Sequence, residues 1–148
     1  MTGVTIREAC ESDIPAILQT YTAAGINGAQ SFSVEEARES FACMRRYPSY
    51  RIFVAMVDEE VAGAYSLLLL DKLTKRGARS GVVEDVAVRP DLQGKGVGRA
   101  MMEHAREQCR LAGCYKLTLS SGLPRTGAHA FYDSLGFERH GYSFLIRP

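Results

Sequence analysis

The stretch VVEDVAVRPDLQGKGVGRAMMEHAREQ, starting at Val82, restricts the fold more than any other part of the chain. Its first part is short, rich in β-branched valine and bounded by Gly81 and Pro90, which predicts a central strand. Glycines then recur at alternate positions, Gly94, Gly96 and Gly98. Residues 98–112 follow with Met101, Met102, Ala105 and Cys109 near one helical face and Gly113 as a natural stop. The next run, CYKLTLSS from Cys114, again reads as a strand. Strand, helix, strand in this order is a crossover unit, so these two strands are expected to be parallel and joined with right-handed sense.

The rest of the chain supplies antiparallel partners. Residues 4–9 read as a first strand, and ESDIPAILQTYTAA as a helix opened by Ser12 or Asp13, with Pro15 in its first turn and Gly25 and Gly28 beyond its end. Ser33 and Glu36 form a capping-box pattern ahead of a second helix that breaks at Pro48. RIFVAMV and VAGAYSLLLL flank Asp58-Glu59-Glu60 as a hairpin, in which Gly63 marks a bulge or a close approach of another segment. A last helix, TGAHAFYDSL, stops at Gly136, and FERHGYSFLIR is expected to close the sheet as a strand. The outcome is one α+β (mixed α/β) domain over residues 1–148: a mostly antiparallel central sheet with one parallel pair, flanked by about four helices.

Bulk properties narrow the partners. A chain of 148 residues with 46% apolar composition can bury one core of ordinary size. A formal charge of +1 is too balanced for the electrostatic footprint of a nucleic-acid or polybasic membrane binder. Cys10, Cys43, Cys109 and Cys114 form no C-x-x-C pair and stand at no zinc-like spacing from His104, His129 or His140, so they read as reduced and structural, and no metal is expected. The amino terminus lacks an apolar leader core, and the apolar run around residues 67–70 is far shorter than the roughly 20 residues of a membrane span. A cytoplasmic protein is the expectation.

The glycine loop carries the chemistry. The dinucleotide fingerprint G-x-G-x-x-G fails by one residue, and no Lys-Ser or Lys-Thr follows a glycine at the spacing of a triphosphate loop. What remains is a strand, a tight loop and a helix whose first amides point out unpaired, a ready site for an anion such as a pyrophosphate, or else a turn built for close packing alone. Lys95 and Arg99 add positive charge at its rim.

The loop has company. Residues 93–98, Gln-Gly-Lys-Gly-Val-Gly, match the R/Q-x-x-G-x-G/A signature of the GNAT superfamily of acetyl-CoA dependent N-acetyltransferases, and AFYDSLGF stands at the family's spacing beyond it. The chain resembles that family along essentially its whole length, most strongly over residues 82–137. The resemblance implies that the amides of Gln93, Gly94, Lys95, Gly96, Val97 and Gly98, with Arg99, hold the pyrophosphate of acetyl-CoA. It implies further that the backbone of Val86, Ala87 and Val88 pairs with the pantetheine arm, beside a splay that opens toward the next parallel strand. Tyr132 matches the tyrosine placed near the coenzyme sulfur as general acid; a phenol with an ordinary pKa of about 10 keeps its proton at neutral pH. Arg125 stands where many members carry a coenzyme-contacting asparagine, and either touches the coenzyme phosphate or sugar or faces solvent.

For the acceptor, the adjacent Glu84 and Asp85 precede the pantetheine strand. Strand alternation sends them to opposite faces unless a bulge intervenes, with Glu84 beside Val86 and Val88 and Asp85 beside Ala87. Glu84 is the expected base, with Asp85 and Ser120 as substrate-binding candidates. GCYKL and the Glu-Asp pair resemble glucosamine-6-phosphate N-acetyltransferases, whereas SSGLPRTGAHAFY resembles aminoalkylphosphonate N-acetyltransferases. Both imply a small primary amine near an anionic group, which Arg125, Arg45, Arg46 or Lys75 would receive. Residues 25–33 usually shape the acceptor site in this family. Acetylation of protein amines, or a non-catalytic acetyl-CoA-binding module, stays open at this level. His129 is set aside as structural or surface, and the apolar YSFLI near the end suggests a homodimer completed across a sheet edge.

Overall fold

The computed structural model describes residues 3–26 and 32–148; Gly28 and most of the acceptor-shaping segment 25–33 lie outside them. The chain forms two compact units, the first ending at Thr118 and the second comprising Leu119–Pro148. In the first unit, β1 (Thr5–Glu8), β2 (Tyr50–Val57), β3 (Glu60–Leu70), β4 (Arg79–Val88) and β5 (Cys114–Thr118) form one sheet in that spatial order. The β1–β2, β2–β3 and β3–β4 pairs are antiparallel, and β4–β5 is the expected parallel pair. The same unit holds α1 (Ile14–Ala23), α2 (Val34–Arg45) and α3 (Val97–Leu111), while α4 (Thr126–Ser134) belongs to the second. The mixed α+β architecture with one parallel pair is therefore present.

Local chemistry explains the boundaries. Ser33 Oγ accepts from the Glu36 amide at 3.1 Å, and the Ser33 amide donates to Glu36 Oε1 at 3.2 Å, so the capping box opens α2 as its sequence demands. Asp58 and Glu59, with φ of 49° and 62°, make the two-residue left-handed turn that matches the twist of the β2–β3 hairpin. Both readings of Gly63 hold: the β2–β3 register slips beside it, and a Cβ there would stand 2.8 Å from the Ala87 carbonyl and 3.2 Å from Met101 of α3. The glycine lets α3 lie flat on the sheet.

Helices cover both faces. Val54 and Ala64 pack with Ile14 and Ile17 of α1 and with Ala37 and Phe41 of α2. On the opposite face the fully buried Tyr65 stacks on Phe53 at 5.4 Å and bonds His104 Nδ1 of α3 at 2.7 Å. Asp13, 8% exposed, ties β1 to the start of α1: Arg7 donates to both of its oxygens at 2.7 and 2.8 Å, and the Cys10 amide at 2.8 Å. The Arg7 hydrogen bond, ahead of the opposing effect of burial, holds this carboxyl at about 2.

Two expectations need correction. FERHGYSFLIR forms no strand; residues after Gly136 are irregular, and Tyr142, Phe144, Leu145 and Ile146 are exposed. Apolar alternation without a ladder partner does not make a strand. Nor are all four cysteines structural: Cys109 is buried, but Cys10 and Cys43 are exposed. Among the described residues no helix is long and apolar enough to cross a membrane, and no cluster has a metal-binding composition.

Candidate active site

The donor side is made of backbone. After β4, a 3-10 turn over Pro90–Leu92 leads into the glycine loop, and α3 starts at Val97. Gly94 and Gly96 take φ of +76° and +89°, and a Cβ on either would meet nothing within 4 Å. The left-handed backbone requires glycine, and the space above it stays open. Gly96 caps α3 without any side-chain bond, and the first intrahelical bond is from the Ala100 amide to the Gly96 carbonyl at 3.0 Å. The amides of Val97, Gly98 and Arg99 thus precede the helical ladder and face outward with the positive end of a 15-residue helix behind them. Gln93 does not point away: its Nε2 donates to the Val88 carbonyl at 3.3 Å and latches the loop to the end of β4. Arg99 stands 3.7 Å from Glu103, one turn on, and Lys95 is exposed.

Beside this loop β4 has a free edge. Its pairing with β5 covers Arg79, Ser80, Gly81 and Val82, the last opposite Thr118, and no described strand continues it along the edge of Val86, Ala87 and Val88. The root of the pair is tight, since a Cβ on Gly81 would collide with Cys109 Sγ of α3. A strand-like ligand arm can therefore add to β4 where β5 leaves it, with its anionic end on the α3 amides. These features fit acetyl-CoA.

The acceptor side begins at a bulge. Ser66 of β3 pairs with Glu84 and Ala64 with Ala87, so Asp85 and Val86 together stand against the single Tyr65. Asp85 adopts φ +50°, the left-handed conformation that inserts the extra residue. This corrects the expected facing. Glu84 shares its face with Ala87, Ser66 and Ala64, on the α1 side of the sheet, rather than with Val86 and Val88. Both carboxylates are exposed, and neither forms an ion pair with another described residue.

Three hydroxyl groups that the sequence did not single out gather on that face. Ser66 is 1% exposed, and its Oγ has no hydrogen-bond partner among the described residues. The phenols of Tyr21, on α1, and Tyr50, at the start of β2, lie near enough for Ser66 to lower the pKa of each, though neither completes a hydrogen bond with it. The net shift is upward for both. Burial is the larger cause, followed by the charge of Asp85, with Glu84 adding to the effect on Tyr50. The charge of Asp85 thus reaches both phenols and that of Glu84 reaches Tyr50.

Within the second unit, Tyr132 of α4 packs against Phe131 and Phe137 at ring distances of 5.2 and 5.6 Å. Burial raises its phenol above the ordinary value, with Arg125 opposing, so the proton is retained at neutral pH. Arg125 is the exposed residue ahead of α4. Ser120 Oγ donates to Ser143 Oγ at 3.3 Å, and His129 Nε2 donates to the Gly122 carbonyl at 2.8 Å, a loop-fixing bond. Of the other anion-receiving candidates, Arg45 is engaged by Glu8 at 3.3 Å, and Lys75 lies over the Tyr115 ring at 5.9 Å. Arg46 caps the end of α2.

Comparison with known proteins agrees with this geometry. The profile of the Acetyltransferase (GNAT) family matches residues 16–137. A glucosamine 6-phosphate N-acetyltransferase of Trypanosoma brucei brucei is 36% identical over 93 residues, 61% of this chain and 59% of that enzyme, so the match spans about three-fifths of the relative's length. An aminoalkylphosphonate N-acetyltransferase of Salmonella typhimurium is 28% identical over 72% of this chain and 69% of its own. The solved structure of a putative acetyltransferase from Agrobacterium tumefaciens superposes with a TM-score of 0.91 at 31% identity, covering 97% of this chain and 99% of that one.

Proposed function

This chain belongs to the GNAT family of acetyltransferases, whose acetyl donor is acetyl-CoA, and from that premise we propose that it acetylates the primary amine of a small, anion-bearing molecule by direct attack within a ternary complex. The observation that carries the reading is the double use of β4: its free edge and the adjoining helix start suit the donor, and its bulge at Asp85 and Val86 presents two carboxylates for an amine. Glu84, directly or through a water, takes a proton from the ammonium. The freed nitrogen attacks the acetyl carbonyl, the carbon–sulfur bond breaks, and the departing thiolate receives the Tyr132 phenolic proton; the second proton, shed by the nitrogen as the amide forms, restores the phenol by way of solvent. Asp85 and Ser120 bind the acceptor.

The relatives named for amino-sugar phosphate and aminophosphonate substrates support an anionic acceptor. Arg46 and Arg125, which form no ion pair with a described residue, are the cations we assign to it, in place of Arg45 and Lys75. The exposed run from Tyr142 to Ile146 supports a homodimer, because so apolar a segment seldom stays bare; light scattering at micromolar concentration measures it.

The test is thiol release from acetyl-CoA across aminophosphonates, amino-sugar phosphates, polyamines, aminoglycosides and peptides. Turnover is expected with small phosphorylated or phosphonylated amines. Turnover with peptides alone would move the chain to the protein-acetylating class, and tight acetyl-CoA binding with no turnover would leave only a binding module.

A further inference from the structure

We propose that Tyr21, Tyr50 and Ser66 form the wall that receives the acceptor's ammonium group, with the phenol oxygens contacting it and Ser66 positioning the phenols. The inference rests on the reading of this chain as an amine acetyltransferase and names the residues that hold the amine. Three elements contribute. Tyr50 is paired with Leu68, and Ser66 with Glu84, so Tyr50, Ser66 and Glu84 stand on one face, and Tyr21 of α1 packs on that face against the cluster of Val54 and Ala64.

Ser66 carries the case furthest. A hydroxyl 1% exposed and without a partner among the described residues is rare in a folded protein, because an unmade buried hydrogen bond leaves its desolvation uncompensated. Here two phenols lie close enough to interact with it without completing a hydrogen bond, so a ligand that reorients them can satisfy it. No basic group is among the charges acting on either phenol, whereas Asp85 acts on both and Glu84 on one. The wall is therefore negative and rich in oxygen.

A primary ammonium has three N–H donors and no acceptor, which suits one carboxylate and two hydroxyl oxygens. Each phenol can accept from the ammonium while its own proton goes to a carboxylate or to Ser66. An anion on the acceptor has to project away from this wall, since the same carboxylates repel it. The wall thus selects for the amine end of the acceptor and leaves the anionic end to cations elsewhere.

The experiment is calorimetric titration of the full-length protein, with coenzyme A present, against ethanolamine phosphate, aminoethylphosphonate, glucosamine 6-phosphate and putrescine. It is repeated for Tyr50→Phe, Tyr21→Phe and Ser66→Ala. At least one amine should bind the wild type, and Tyr50→Phe should weaken it about tenfold, the loss of one hydrogen bond to a charged group. Ser66→Ala should weaken it a few-fold, with acetyl-CoA affinity unchanged in all three variants. Wild-type affinity in both tyrosine variants, or no amine binding by the wild type, overturns the proposal. Amine binding without thiol release from acetyl-CoA would instead sink the catalytic reading and leave the wall standing.

Discussion

The donor edge and the acceptor face share β4 but are built from different material. Along residues 93–99 the proposed binding groups are consecutive main-chain amides, exposed by glycines and oriented by one helix. Tyr21, Tyr50, Ser66 and Glu84 stand at least 16 positions apart one from the next, and every one of these proposed binding groups is a side chain. A backbone site reads any pyrophosphate in the same way, so it can stay constant while the acceptor changes. A side-chain site can be re-specified one substitution at a time.

The sharpest way to break this division is to alter the residue proposed to deliver the proton beside the coenzyme sulfur. Tyr132→Phe should lower turnover roughly 10²-fold while leaving the dissociation constants of acetyl-CoA and amine within about twofold, as expected of a lost proton donor. A large shift in either constant would move Tyr132 into the binding machinery. Gly96→Leu places a side chain where φ is +89° and should weaken acetyl-CoA roughly 10- to 100-fold, about the loss of one charge-assisted amide contact, with amine affinity preserved. Calorimetry with each ligand separately checks it. Glu84→Gln should reverse that pattern, cutting turnover at least tenfold and sparing acetyl-CoA affinity; a deeper loss in Asp85→Asn would transfer the base to the bulge residue.

Smallest is an effect that touches both regions alike. Asp13 is held at about 2 against an ordinary 3.8, so its folded value is depressed and its contribution is complete above about pH 4. That contribution is lost as pH falls toward 2. With Arg7 half exposed, it is on the order of 1 to 2 kcal/mol, readable as a drop in urea midpoint between pH 5 and pH 2.5, and it should vanish in Asp13→Asn.

This contrast also explains what could be read in advance. The β4–loop–α3–β5 crossover was legible because valine clustering, glycine punctuation and helical periodicity are all short-range signals. The Ser33-Glu36 cap was legible for the same reason. The facing of Glu84 was not, because it depends on a bulge whose only trace is Asp85 at φ +50°, and aspartate is common at strand ends. Tyr21, Tyr50 and Ser66 carry no signal of their own: each is an ordinary member of its helix or strand until β2, β3 and α1 are brought together. FERHGYSFLIR misled by its alternation, since a strand also needs a neighbour and the pattern does not supply one.

The unpaired edge of β4 has a consequence for how the protein can be watched. Between Val83 and Val88, the amides that point away from β3 meet no described strand, so their hydrogens should exchange with solvent quickly in the free protein. The donor arm would shield them on arrival. The strand proposed as a binding surface would then also be an isotopic clock, slowed by acetyl-CoA and indifferent to the amine.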